Sequence, residues 1–149
     1  MNTFLEQVTS LLEAHVGPGK FEIVDNKDYP KFRSAHVDVA MAGAFLQILK
    51  DRNTDFWIDV ASPSEPGKFH GLRVLLLLIS GQAIERSRVM VGHDMDAIGK
   101  ELGELMVNYE AICGALAAEI WPETKRRLSD MGKQLMHPAI RSALERARK

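Results

Sequence analysis

A chain of 149 residues, 46% apolar and 26% charged, has the size and composition of one globular domain, 1–149, and too many apolar residues for wholesale disorder. Its formal net charge of −1 hides a division, because residues 1–121 carry 11 basic and 17 acidic side chains and residues 122–149 carry 8 and 3. The lone Cys113 excludes an intramolecular disulfide and a multi-cysteine metal site, and the longest apolar run, VLLLLI at 74–79, is far short of the ~20 residues that cross a bilayer.

The first element in chain order is a helix over 3–16. Thr3 and Glu6 have the spacing of a capping box, Gly17-Pro18 ends the segment, and Phe4, Val8, Leu11, Leu12 and Val16 recur at steps of one, three and four to make one apolar stripe. Glu6 and Glu13 interrupt what would otherwise resemble a secretory leader, so together with the single thiol the expected location is cytoplasmic.

At residue 20 the period changes from helical to two. The segments 20–25, 34–41, 44–50 and 54–62 read as strands, joined by the Pro30 loop, the Ala42-Gly43 turn and Asp51-Arg52-Asn53. The last two connections are too short for parallel crossovers, which predicts a four-stranded antiparallel meander over 20–62.

Helical periodicity returns for 69–149. A buried helix is expected over 69–81, closed near Gly81, with a strand around 72–79 as the alternative for so short an apolar run. Met95, Ile98, Leu102, Leu105, Tyr109, Ile112 and Leu116 alternate steps of three and four, the seam of one long helix from about 94 to 121, which would run about 40 Å. Pro122 and Pro138 break or begin two further helical pieces, with Leu128, Met131, Leu135, Ile140 and Leu144 as apolar positions. The fold class expected is therefore α+β, with an N-terminal helix, a meander and a helical C-terminal half.

Catalytic patterns are missing from the sequence: there is no nucleophile elbow, phosphate-binding glycine loop or HExxH, and no cofactor signature. The most enzyme-like fragment is GHDMD at 92–96, where His93, Asp94 and Asp96 could ligate a divalent metal for hydrolysis. The plainer reading makes Asp94 or His93 the cap of the following helix and places Asp96 at its positive end. Lys125, Arg126, Arg127, Arg141, Arg146, Arg148 and Lys149 give the tail its charge, but no aromatic or glycine interleaving accompanies them, so nucleic acid is not the expected partner.

Strand 54–62 puts Phe56, Ile58 and Val60 on one face and Asp55, Trp57 and Asp59 on the other. If the hairpins hold register, His36 and Asp38 join that second face. A tryptophan among carboxylates is the composition of a protein-binding patch for a basic partner, provided no helix covers it. The glycines and alanines beside the long seam admit a different reading, a scaffold that self-associates as a homodimer through that helix.

The stretch FEIVDNKDYPKFRSAHVDVAMAGAFLQILKDRNTDFWIDVASPSEPGKFHGLRVLLLLI, about residues 20–80, resembles small bacterial immunity-type proteins of polymorphic or contact-dependent toxin systems, in its strand order and its KDR turn. The resemblance implies a non-enzymatic inhibitor that neutralises a cognate toxin by occluding its active site. It transfers no functional residues.

Overall fold

The computed structural model describes residues 3–81, 92–135 and 146–147. Helix α1 (Phe4–His15) begins where Thr3 Oγ1 accepts the Glu6 amide at 3.1 Å, and buries Phe4, Val8 and Leu12. Strands β1 (Phe21–Tyr29), β2 (Ser34–Met41), β3 (Ala44–Asp51), β4 (Asp55–Ala61) and the two-residue β5 (His70–Gly71) form one antiparallel sheet in sequential order. The meander is thus as expected, with five strands rather than four. His70–Gly71 adds the fifth where chain returning from the 62–69 loop meets Asp59 and Val60. The segment after it is α2 (Leu72–Ser80), closed by Gly81 at φ 69°, so the helical reading of 72–79 holds.

Alternation on the strands sorts the sheet into two faces. Val37, Val39, Leu46, Ile48, Phe56, Ile58 and Val60 lie on the inner face and are buried with Val8 and Leu12 of α1. Each such side chain withdrawn from water stabilises the fold by about 1.5–3 kcal/mol before entropy is counted.

The expected long helix is broken. Helix α3 (Met95–Val107) stops at Asn108, whose Nδ2 donates to the Glu104 carbonyl at 2.8 Å, and α4 (Tyr109–Leu116) follows it directly. The Asn108 side chain shares that carbonyl with its own backbone amide, which donates to it at 3.2 Å. Trp121, expected near the end of the long helix, instead opens α5 (Trp121–Leu135), with Pro122 in its first turn. The seam residues Ile98, Leu102, Leu105, Ile112 and Leu116 are all buried in the chain's own core, so the face proposed for a helical dimer is occupied from within. Cys113 is half-buried rather than interior, its thiol 3.6 Å from the Ala42 carbonyl beside the β2–β3 turn. Pro138, Ile140, Leu144, Arg141, Arg148 and Lys149 lie outside the described residues.

The far edge of the sheet is closed by side chains and short pairings. Phe56 exchanges two backbone hydrogen bonds with Gly92, at 2.9 and 3.1 Å, and Val60 pairs with His70. Between them the Ile58 amide meets the carboxylate of Glu101, a residue only 2% exposed. The 62–68 loop is fastened by Glu65, which accepts from Trp121 Nε1 and Lys125 Nζ, both at 2.8 Å, and faces Lys68 at 3.1 Å.

Candidate functional site

The outer face of the sheet gathers all five residues singled out on strands 34–41 and 54–62. Register places His36 of β2 opposite Leu49 of β3, which lies opposite Trp57 of β4. One row along, Asp38 pairs with Gln47, and Gln47 with Asp59; at the other side Asp51 pairs with Asp55. The two hairpins therefore keep the register that the alternation required.

Hydrogen bonds lock these rows. Gln47 Nε2 donates to Asp38 Oδ1 at 3.0 Å, and His36 Nδ1 lies 3.0 Å from the same oxygen. Trp57 Nε1 donates to Asp59 Oδ2 at 3.3 Å, which fixes the indole against its own strand. Burial pushes the Asp59 carboxyl up from its ordinary value, and the Trp57 bond partly offsets this. Asp55 is a more open group, its side chain 34% exposed and 4.0 Å from His93 Nδ1.

Apolar surface runs through this polar frame. Phe45, Leu49 and Trp57 are half-buried and stand outside the cluster that forms the core, whose described members come from the inner face and the helices. Tyr29 of β1 extends the aromatic row, its ring centroid 6.4 Å from that of His36. Glu22, Asp25, Asp38, Asp51, Asp55 and Asp59 share the face with Lys27 and His36, so its charge is predominantly negative. Rows of flat apolar groups bordered by fixed carboxylates can bind a basic surface of a protein, the carboxylates steering and the tryptophan anchoring.

The GHDMD fragment lies at the start of α3. Asp94 Oδ1 accepts the Ala97 amide at 3.1 Å and caps α3, Asp96 lies in the first turn, and exposed His93 lies 3.1 Å from the Thr54 carbonyl. Among the described residues no three histidine, cysteine, aspartate or glutamate side chains gather as a metal site, and no helix is long and apolar enough to cross a membrane.

The run Tyr29-Pro30-Lys31-Phe32-Arg33 alternates rings with cations, a signal present in the sequence itself. In the fold Tyr29, Lys31, Phe32 and Arg33 line a cleft at the end of the sheet together with Ser34, Asp51 and Arg52. Comparison with known protein families, with curated proteins and with solved structures finds no match to this chain.

Proposed function

We propose that the protein is a non-enzymatic partner-binding protein, an immunity-like inhibitor that occludes the active site of a basic toxin domain with the outer face of its sheet. The observation that carries this reading is the in-register row His36–Leu49–Trp57, flanked by Asp38, Asp55 and Asp59 and outside the hydrophobic core. Tryptophan anchors with a desolvated surround dominate interface energies, and acidic residues around them raise the rate at which a positive partner is met. A rigid sheet also presents the face with little ordering cost on binding. The reading is tested by co-expressing the chain with the product of the reading frame adjacent to its gene. Relief of that product's growth arrest, abolished by Trp57→Ala, is the expected result; an adjacent frame whose product causes no growth arrest would refute it.

A further inference from the structure

The Pro30–Phe32 turn and the Asp51–Thr54 turn stand side by side and enclose an open cleft of about 860 Å³ lined by Tyr29, Lys31, Phe32, Arg33, Asp51 and Arg52. The two turns are bolted together: the Asn53 amide donates to the Arg33 carbonyl at 3.2 Å, and Ser34 Oγ donates to Asp51 Oδ1 at 2.8 Å. The cleft is therefore shaped before any ligand arrives.

Backbone conformation singles out its arginines. Among the described residues the left-handed positions Gly17, Gly19, Gly43 and Gly81 are glycine, which adopts them without steric cost. The other three are Arg33 at φ 55°, Arg52 at φ 54° and Asn53 at φ 57°, all at this tip. Asparagine tolerates that region; arginine gains nothing from it that glycine would not supply more cheaply. What arginine adds at both positions is a guanidinium group.

Those groups are available. Arg52 is 75% exposed and touches Asp51 through Nε alone, at 3.4 Å, while Lys31 and Arg33 form no ion pair among the described residues. Beside them Phe32 is 64% exposed and Tyr29 43%, the two aromatic members of the exposed large apolar set among the described residues. A ligand that completes this cleft carries an anion and a flat ring on one molecule. An acidic peptide would satisfy the cations and leave Phe32 in water.

We propose that the cleft binds a nucleotide, free or as a unit of single-stranded nucleic acid, with its base stacked on Phe32 and Tyr29 and its phosphate held by Arg33, Arg52 and Lys31. Guanidinium forks match phosphate oxygens in pairs, and stacking on aromatic rings tolerates any base. The cleft shares Tyr29 and Asp51 with the outer face of the sheet but includes neither Trp57 nor Asp55, Asp59, His36 or Asp38.

The test is fluorescence anisotropy of a short labelled oligodeoxythymidine, with ATP, inorganic phosphate and oligoglutamate as competitors. The oligonucleotide binds, ATP displaces it, and phosphate or oligoglutamate at the same concentration does not. ATP binding as tightly as the oligonucleotide identifies the free nucleotide as the ligand; tighter oligonucleotide binding with a steep salt dependence identifies the single strand. Phe32→Ala weakens binding about tenfold or more. The double variant Arg33→Gly, Arg52→Gly does the same with a melting temperature equal to or above that of the parent, because glycine is at ease in both conformations, and Trp57→Ala leaves binding unchanged. No binding at low salt, binding that survives the double glycine variant and so belongs to the basic tail, or displacement by oligoglutamate as effective as by ATP would each overturn the proposal.

Discussion

Arg73 Nε stands 3.3 Å from Glu101 Oε1 at the closed edge of the sheet, yet the glutamate's pKa is pushed up to about 7. Burial outweighs the arginine's attraction, and Oε2 finds no hydrogen-bond partner among the described residues. The pair closes the gap in the β4 edge between Gly92 and His70 at the cost of holding an acid where its charged form is disfavoured.

A stability that falls with rising pH follows. The Glu101 pKa is about 7 in the folded chain against 4.5 for the free side chain, so its contribution is fully present below about pH 4.5 and is lost as pH rises through 7. Asp59, also raised by burial, acts in the same direction. Urea denaturation at pH 5 and pH 8 should show a loss on the order of 1–3 kcal/mol attributable to Glu101. Glu101→Gln should flatten that difference while keeping an acceptor for the Ile58 amide; a variant with the parent's slope would mean the carboxylate is charged throughout.

Gly43 turns β2 into β3 at φ 84°, and a Cβ there would lie 3.0 Å from Cys113 Sγ. Gly43→Ala should therefore destabilise by about 1–3 kcal/mol, combining left-handed strain with crowding of the thiol. Adding Cys113→Ala should restore the crowding part and leave the strain, which a double-mutant cycle by thermal unfolding resolves. Additive effects would show that the sulfur moves aside freely.

Asp55 and Asp59 flank the same indole but differ in exposure, and their effects on association should differ accordingly. Asp55→Asn should slow binding of a basic partner, more at low salt than at physiological salt, since an open charge at the rim acts mainly through long-range attraction. Asp59→Asn should act less on the association rate and more on dissociation, because its carboxyl is half-buried and holds Trp57 Nε1 at 3.3 Å. Stopped-flow rates at two ionic strengths separate the two.

The strands from 34 to 61 were legible in the sequence because every second residue is withdrawn from water, so the pattern and the burial coincide. The second half of β1 was not: Asp25, Asn26, Lys27 and Asp28 are exposed along an outer edge strand, and only pairing with β2, interrupted by a bulge at Val24, makes them a strand. Two residues, His70 and Gly71, are too few to carry any period. Ile98 to Leu116 kept one apolar seam across two helices, so the break at Asn108 left no trace in the periodicity. That His36, Asp38, Asp55, Trp57 and Asp59 share one face was legible because register follows from the short turns. The cleft between the Pro30 and Arg52 turns escaped because its halves are about twenty residues apart, and because Lys31, Phe32 and Arg33 read as an ordinary loop.

Trp57 and Ile58 are adjacent on β4 and point to opposite faces, and that contrast tests the central claim. Ile58 is 1% exposed in the core, so Ile58→Ala should lower stability by about 2–5 kcal/mol, whereas Trp57 lies outside that core and Trp57→Ala should leave the melting temperature near that of the parent. The direct measurement is calorimetric titration of the product of the adjacent reading frame with the parent chain and with Trp57→Ala. The expected result is a loss of about 2 kcal/mol or more in binding free energy with the fold intact. Unchanged affinity, or a Trp57→Ala chain destabilised as much as Ile58→Ala, would contradict it.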